Sequence, residues 1–324
     1  MENYDHFKNM VNEALQRLSP DEKPKRLYEP IAYILSLGGK RLRPVLTLAA
    51  CDLFGADPDK ALKPAAGIEI FHNFTLLHDD IMDKAEMRRG KETVHKKWNP
   101  NVAILSGDTM FALAYRQVYS SPAANPGEIL ETFTTTAIEV CEGQQYDMDY
   151  ESAEVISIAD YLNMIRLKTA VLLGCSLKIG ALVAGADSKQ AQLIYDFGVN
   201  IGLAFQLKDD YLDAFGNLEK FGKNIGGDIA ANKKTWLFLK CLELAGEKDR
   251  TRLSELYRMN LDDNNEKVSE VLGIFSKYDV KQHIIKEMEK FFAKSLELME
   301  QVDAPKKKKN RMISYAEWLY KRDH

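Results

Sequence analysis

Residues 191–215 read AQLIYDFGVNIGLAFQLKDDYLDAF. Their apolar side chains recur at spacings of three and four residues, the period of an amphipathic helix. Residues 129–150, ILETFTTTAIEVCEGQQYDMDY, have the same spacing, and runs that alternate apolar and polar residues are rare. Short polar or Gly/Pro segments such as SSPAANPGE separate these runs, and breaks of that length join packed helices. The sequence therefore predicts an all-α fold in a single domain over residues 1–324.

The composition argues against several other classes of protein. With 44 basic and 48 acidic side chains, the formal net charge is -4, which does not suit the broad basic face of a nucleic-acid-binding protein. The polar N-terminal run MENYDHFKNM is unlike a signal peptide, and Lys178 interrupts the most apolar stretch, residues 169–186. The cysteines form no CxxC pair and predict reduced thiols, not disulfides or a zinc site. We expect a soluble, cytoplasmic protein without a membrane span.

Two clusters of aspartates end apolar helical runs. The first, LLHDDIMD at residues 76–83, holds Asp79, Asp80 and Asp83; the second, in FQLKDDYLDAF at residues 205–215, holds Asp209, Asp210 and Asp213. In both, the first and last aspartates are four residues apart, so a helix brings them onto one face. Such a face offers hard carboxylate oxygens to Mg²⁺, which prefers oxygen ligands and keeps waters and substrate phosphates in its shell. No cysteine or histidine lies at ligand spacing for zinc.

Basic side chains accompany both clusters. They are Lys40, Arg41 and Arg43 in SLGGKRLRP, Arg88 and Arg89, Lys168 beside Thr169, and Lys223, Lys233 and Lys234. Arginine forks and lysine ammoniums beside Mg²⁺ and carboxylates are what the binding of two diphosphates requires. Neither GGKR nor GKNIGG completes a nucleotide-binding P-loop. The segments 88–100 and 215–234, one after each cluster, are predicted to be mobile loops.

In this combination the motifs GGKRLRP, LLHDDIMD–RRG, LKT and FQLKDDYLD–FGK–GGDI resemble the trans-isoprenyl (polyprenyl) diphosphate synthases. The resemblance covers residues 30–240 in the same order and continues more weakly to the C-terminus. It implies an all-α bundle of the isoprenoid synthase type around a deep central cavity, and a homodimer. It also implies the head-to-tail condensation of isopentenyl diphosphate with an allylic diphosphate, with three Mg²⁺ per active site.

The resemblance assigns roles to individual residues. Metal binding falls to Asp79, Asp83 and Asp209, and catalysis to those three with Asp80, Asp210, Asp213, Lys168 and Lys223. Isopentenyl diphosphate is assigned to Lys40, Arg43, His72 and Arg89, and the allylic diphosphate to Arg88, Lys168, Thr169, Gln206, Lys223 and Lys233. Helical spacing independently puts His72 two turns before Asp79, and Gln206 on the stripe of the second cluster. Gln144 and Asp147 match a family position near the metals, and Lys321 and Arg322 could close over isopentenyl diphosphate.

The family's chain-length positions are the fourth and fifth residues before the first aspartate, here Thr75 and Phe74. A phenylalanine there blocks a growing chain early, so the product is expected to be C15 or C20. Helix geometry alone places Thr75 and Phe71 on the Asp79 face more directly than Phe74. Two alternatives stay open: a class I terpene cyclase, which normally lacks the GGKR and RRG motifs, and a non-catalytic subunit of a heteromeric synthase.

Overall fold

The computed structural model describes residues 2–18, 22–121, 123, 125–153, 155–216, 226–259, 261 and 263–321. Nearly all of its regular structure is helical, as the sequence predicts. The helices of the N-terminal half are α1 (Glu2–Arg17), α2 (Lys25–Ser36), α3 (Leu42–Leu53), α4 (Leu62–Met82), α5 (Val94–Lys97), α6 (Pro100–Tyr119) and α7 (Pro126–Ser152). Those that follow are α8 (Ile158–Ile165), α9 (Val171–Val183), α10 (Ser188–Phe215), α11 (Gly227–Ala230), α12 (Trp236–Leu244), α13 (Glu247–Leu256), α14 (Asn265–Lys277), α15 (Val280–Gln301) and α16 (Lys306–Lys321).

Two short elements interrupt the helices. A 3₁₀ turn, Pro58–Ala61, leads into α4, and a π-helical turn, Arg166–Ala170, joins α8 to α9. None of the helices in the part of the chain described above is long and apolar enough to cross a membrane.

The segment after the first aspartate cluster is more regular than the sequence predicts. Strands β1 (Met87–Arg88) and β2 (Lys91–Glu92) form an antiparallel hairpin, and α5 follows it. Its two-residue turn, Arg89–Gly90, has φ of 53° and 73°, which is the conformation of a tight hairpin turn. The prediction of an irregular loop over residues 88–100 is therefore wrong in its secondary structure. In the second predicted loop, residues 217–225 lie outside the described part of the chain.

Contacts within the chain cluster into two compact units. Unit 1 comprises residues 1–135, 175–194 and 303–312, and unit 2 comprises residues 136–174, 195–302 and 313–324. Clustering of contacts does not by itself divide a chain into independently folding domains. The single domain over residues 1–324 stays a prediction.

Unit 1 is built around α4. This helix packs against α3 and α6, and every residue from Pro64 to Phe71 is buried. Five aromatic rings pack side by side on α4, α6 and α7: Phe71, Phe74, Phe111, Tyr115 and Phe133. The two at the centre, Phe71 and Phe133, are fully buried. We call these five residues the aromatic cluster.

A buried ion pair fixes the GGKR turn in unit 1. Arg41, with φ of 52°, precedes α3 and donates to Glu69 of α4 at 2.6 Å. It also donates to Leu35 O at 2.7 Å and to Asn12 Oδ1 at 3.2 Å. The Arg41 side chain is only 4% exposed and is paired with Glu69, so its charge stabilises the protein core. The interpretation of Arg41 as one of the cations for diphosphates is therefore corrected.

Unit 2 has its own apolar core around α12. Five of the nine residues of α12 are buried: Trp236, Leu237, Phe238, Leu239 and Cys241. They join a cluster with residues of α8, α10, α13, α14 and α15, among them Leu207, Leu253 and Phe275. At about 1.5–3 kcal/mol for each fully buried large apolar side chain, such a core holds α10 and the π-helical turn firmly in place.

Candidate active site

The first aspartate cluster lies at the C-terminal end of α4, where the three carboxylates differ in exposure. Asp79 is half-buried, Asp80 is buried, and Asp83 is the exposed C-terminal cap of the helix. Arg88 of the hairpin donates from Nε to both oxygens of Asp80 at 2.8 Å, and from Nη2 to Oδ1 at 2.7 Å. Asp80 therefore holds Arg88 in place.

Three arginines surround a histidine next to this cluster. We call Arg43, His72, Arg88 and Arg89 the arginine cluster. Nη1 of Arg43 lies 3.2 Å from Nε2 of His72. Burial lowers the pKa of His72 well below its usual 6.5, and the positive charges of the arginines lower it further. His72 is thus neutral near pH 7 and accepts from Arg43 at Nε2, which leaves its proton on Nδ1.

Arg43 is a half-buried cation whose buried Nε has unused donor capacity. Burial lowers its pKa to about 10, so it keeps its charge near pH 7. Among the described residues its Nε has no hydrogen-bond partner. A buried charged donor left unpaired is costly, and a phosphate anion supplies both the acceptor and the counter-charge. The residues present therefore fit a diphosphate.

The GGKR turn completes this region. The Arg89 guanidinium donates to Gly38 O, and the Tyr4 hydroxyl donates to Lys40 O. Gly39 has φ of 132°, and a Cβ there would lie 2.8 Å from Arg89 Nη1. Only glycine suits this position, because it adopts the left-handed backbone and leaves room for the guanidinium. Unit 1 thus brings together the predicted isopentenyl diphosphate residues Lys40, Arg43, His72 and Arg89, together with Arg88.

The second aspartate cluster lies at the C-terminal end of α10 in unit 2. Asp210 is buried, and its Oδ2 accepts from the Tyr161 hydroxyl at 2.6 Å. Burial raises the pKa of Asp210 to about 8, even though hydrogen bonds from Tyr161 and other donors lower it; the nearby Asp228 charge raises it too. The charge of Asp228 therefore disfavours a second negative charge on Asp210.

Asp213 has a different partner from Asp210. Its Oδ2 accepts from the Asp228 backbone N–H at 3.0 Å, and its carbonyl oxygen accepts from Gly226 N at 2.8 Å. Asp213 therefore fixes the start of α11. Asp209, the predicted metal ligand, is half-buried one turn earlier on α10.

A polar cavity opens in unit 2 beside Asp210. Its lining includes the predicted residues Lys168, Thr169, Gln206, Asp210 and Lys233, together with Asp147. It also includes three residues for which the sequence predicts no role or only a general one: Tyr161, Asp228 and Lys234. Asp228 belongs to the quoted GGDI motif, so its position was detectable; nothing in the local sequence marked Tyr161. We call this the polar cavity.

The π-helical turn sets the positions of Lys168 and Thr169 in the polar cavity. Lys168 Nζ donates to Asp147 Oδ2 at 2.5 Å, and Thr169 Oγ1 donates to Gln206 Oε1 at 3.4 Å. A Cβ on Gly143 of α7 would clash with the Lys168 backbone N, and one on Gly202 of α10 would lie 2.6 Å from Ala170 Cα. Two glycines therefore let α7 and α10 approach the wide turn, a helical irregularity frequent at functional sites.

Some predicted residues cannot be placed. Lys223 and Arg322 lie outside the described residues, and the side chain of Lys321 is likewise not described. Gln144 is half-buried on α7, three residues before Asp147. Of the chain-length positions, Phe74 packs in the aromatic cluster at 5.3 Å from Phe111, and the Thr75 hydroxyl donates to His72 O at 2.9 Å.

The carboxylates suit Mg²⁺ by their chemistry. Among the described residues, no three Asp, Glu, His or Cys side chains converge closely enough to enclose an ion. Mg²⁺ does not require such a cage, since it is usually held by one or two carboxylates together with waters and substrate phosphates. Asp79 and Asp83 in unit 1, and Asp209 in unit 2, offer oxygen ligands of this kind.

The fold is that of the isoprenoid synthases. A solved structure of a geranylgeranyl pyrophosphate synthase superimposes with a TM-score of 0.94, at 44% sequence identity and over 99% of both chains. The predicted all-α class is confirmed.

Sequence comparison gives the family. The polyprenyl synthetase family model matches residues 24–275. A short chain isoprenyl diphosphate synthase of Methanothermobacter thermautotrophicus is 35% identical over 323 residues, which cover 98% of this chain and 97% of the relative. A geranylfarnesyl diphosphate synthase of Natronomonas pharaonis is 38% identical over 250 residues, covering 72% of this chain and 73% of the relative. The chain belongs to the polyprenyl synthetase family, and the resemblance found in its motifs is confirmed.

Proposed function

We propose that this chain is a Mg²⁺-dependent trans-prenyltransferase that condenses isopentenyl diphosphate with an allylic diphosphate, head to tail. The observation that carries the proposal is the arginine cluster, where the buried Nε of Arg43, beside a neutral His72, has donor capacity for an anion. Family membership and the names of the relatives support the same chemistry. In the proposal Lys40, Arg43, His72 and Arg89 bind isopentenyl diphosphate. The allylic diphosphate is assigned to Arg88 and, in unit 2, to residues of the polar cavity.

The reaction needs a leaving group, a nucleophile and a base. The C1–O bond of the allylic diphosphate breaks, diphosphate leaves with the electron pair, and an allylic cation remains. The double bond of isopentenyl diphosphate attacks C1 of this cation. The resulting cation loses a proton from C2 of the isopentenyl unit to the released diphosphate. The electron pair of that C–H bond forms the new double bond.

The residues of the chain supply electrostatic stabilisation for these steps. Lys168, Lys233 and Thr169 in the polar cavity are positioned to donate to the leaving diphosphate, whose charge grows as the C–O bond breaks. Asp79 and Asp83 in unit 1, and Asp209 in unit 2, would be the ligands of Mg²⁺, of which the proposal expects three ions. Such ions would supply further neutralisation of the charge on that diphosphate. The neutral His72 orients Arg43 without adding a competing positive charge.

The proposed product is the C20 prenyl diphosphate. Among the relatives described above, one is a geranylgeranyl (C20) synthase and one is a geranylfarnesyl (C25) synthase. The greater structural coverage and identity of the geranylgeranyl enzyme favour C20. Phe74 and the aromatic cluster behind it are the proposed end of the chain-binding space, with C15 as the alternative outcome.

The proposal also covers the assembly and its location. We infer a homodimer that acts in the cytoplasm, with residues 1–324 as one functional domain. Helix α6 supports the dimer, because it exposes two adjacent large apolar side chains, Ile104 at 44% and Leu105 at 58%. Contact of these side chains with a second copy of the chain would remove their apolar surface from water.

One assay tests the central proposal. The protein is incubated with Mg²⁺, labelled isopentenyl diphosphate and, in turn, the C5, C10 and C15 allylic diphosphates. A labelled C20 prenyl diphosphate supports the function and the length together. A terpene cyclase leaves isopentenyl diphosphate unused and converts an allylic diphosphate to hydrocarbon. A non-catalytic subunit consumes neither substrate, and that result in folded protein overturns the proposal.

A further inference from the structure

Helix α14 carries a lysine that is almost completely buried. Lys267 is 2% exposed, and its Nζ lies 2.6 Å from Asn232 Oδ1, 3.2 Å from Met259 O and 3.3 Å from Ala230 O. These three neutral acceptors match the three N–H donors of an ammonium group. Lysine is rarely buried unless all of its donors are bonded, since desolvation disfavours its charge. Its bonds therefore show which part of the chain it holds.

That part is the segment 226–235, which includes α11. Between residues 227 and 234 only Ile229 is buried, so little apolar packing holds the segment. Hydrogen bonds hold it instead. At its start Asp213 accepts from the Asp228 N–H at 3.0 Å, and Lys267 binds Ala230, the last residue of α11, and Asn232 beyond it. The chain bends at Asn232, which has φ of 59° and donates from Nδ2 to Met259 O at 3.1 Å. Met259 O also accepts from Lys267, so the bend and Lys267 share this acceptor.

The anchored segment lines the polar cavity. It contributes Asp228, Lys233 and Lys234, and the Lys233 N–H donates to Asp228 O at 2.9 Å across the bend. Lys234 Nζ donates to Tyr150 O at 2.8 Å. A displacement of the bend at Asn232 therefore moves the next two residues, both of them cations of the cavity.

Core packing alone does not explain a charge at position 267. A methionine has an unbranched side chain of similar length and would fill the space without the cost of burying an ammonium. It would leave Ala230 O and Asn232 without their donor, and the bend would lose its tie to α14. The apolar contact between α14 and the segment is made by the next residue, Val268, which packs on Gly226: a Cβ there would lie 2.5 Å from Val268 Cγ1.

We propose that Lys267 is a positioning residue: from outside the polar cavity it fixes the segment that presents Asp228, Lys233 and Lys234 to the diphosphate of the allylic substrate. The substrate assignment rests on the proposed function. The positioning of the segment is independent of the proposed function, because it follows from the hydrogen bonds of the protein alone.

The test compares Lys267→Met with Lys277→Met, a matched control on the same helix whose lysine makes an exposed ion pair with Asp249. Hydrogen exchange of the unliganded proteins is measured first. We expect peptides covering residues 226–235 to exchange at least about tenfold faster in Lys267→Met, with the rest of unit 2 unchanged, because a local anchor is lost. Lys277→Met leaves these peptides as in the wild type.

Steady-state kinetics then test the role in substrate binding. In Lys267→Met the KM for the allylic diphosphate rises about tenfold, a loss that corresponds to about 1.4 kcal/mol. The KM for isopentenyl diphosphate stays within about twofold of the wild type, because the arginine cluster is untouched. A merely structural defect lowers the amount of active enzyme and moves kcat without this split between the two KM values.

Each outcome decides a separate point. Unchanged exchange over residues 226–235 overturns the anchor, and faster exchange with both KM values unchanged overturns the positioning role. If Lys267→Met does not fold, Asn232→Gly carries the same test, because glycine accepts the backbone at φ 59° and removes one acceptor of Lys267. If the wild type makes no prenyl product, the proposed function fails while the exchange experiment still judges the anchor.

Discussion

The aspartates of each cluster have distinct partners although they are the same residue type within one motif. The middle residue of each cluster, Asp80 or Asp210, is buried and bound to another side chain of the protein. Asp80 holds Arg88, and Asp210 accepts from Tyr161. The first residue, Asp79 or Asp209, is only half-buried. At the scale of single residues, the middle aspartates support the site and the outer ones are the better candidates for metal ligands.

Substitution of Asp79 tests this assignment. Asp79→Asn keeps the shape of the side chain but removes the charge that Mg²⁺ needs. We expect kcat/KM to fall by about two to four orders of magnitude, since metal-assisted charge stabilisation contributes several kcal/mol. The circular dichroism spectrum and Tm stay close to those of the wild type. Asp108→Asn, at an exposed position of α6, is the control. Near-normal turnover of Asp79→Asn in excess Mg²⁺ would contradict the metal assignment.

Substitution of Phe74 tests the length of the product. Phe74 packs between Phe71, Phe111 and His78, with ring centroids 4.7–5.5 Å apart. In Phe74→Ala we expect the main product to gain one or more C5 units, because removal of the ring opens space beyond the proposed floor. Mass spectrometry of the dephosphorylated products measures the shift. Leu76→Ala lies about 200° further around the helix and is the control. The same product profile in Phe74→Ala as in the wild type would remove Phe74 as the floor.

At the scale of elements, the structure adds what local sequence patterns do not contain. The three- and four-residue spacing predicts the long helices. The DDxxD and LKT motifs include Asp80, which binds Arg88, and Lys168, which lines the polar cavity, whereas in the GGKR motif it is Gly38 that contacts Arg89. The π-helical turn was not predicted, because a wide turn depends on how closely neighbouring helices approach. For the same reason the burial of Arg41 against Glu69 could not be read from the sequence: its partner is 28 residues away.

The π-helical turn makes a sharp prediction for Gly143. A methyl group in Gly143→Ala overlaps the backbone of Lys168, which is not free to move like the end of a flexible side chain. We expect the turn to shift, the free energy of unfolding to fall by about 1–3 kcal/mol, and the KM for the allylic diphosphate to rise. Urea denaturation and steady-state kinetics measure these effects.

Another glycine of α7 provides the matched control. A Cβ at Gly127 would meet only Asn125 Oδ1, at an ordinary contact distance of 3.6 Å. Gly127→Ala is therefore expected to leave activity unchanged and stability equal or slightly higher, since alanine favours the helix. Equal behaviour of the two variants would mean that the contact between α7 and the π-helical turn adapts freely, against the role given to Gly143.

At the scale of the whole molecule, the proposed homodimer is the feature with the most direct test. Ile104 and Leu105 are exposed next to each other on α6, while neighbouring residues of the same helix, Ala103 and Ser106, are fully buried. One side of the helix is thus committed to the core of unit 1, and the two large apolar side chains are left to solvent in a single copy of the chain. Burial against a second copy removes this apolar surface from water.

The double variant Ile104→Glu, Leu105→Glu separates the assembly from the fold. Burial of each such side chain contributes about 1.5–3 kcal/mol, so we expect the dimer dissociation constant to rise at least about a hundredfold. Sedimentation equilibrium at micromolar concentrations measures it, and circular dichroism verifies that the helices are retained. Val155→Glu, at a side chain that is 87% exposed in unit 2, is the control and stays dimeric. A wild-type monomer, or a double variant that remains as dimeric as the wild type, would show that this surface of α6 does not hold two copies together.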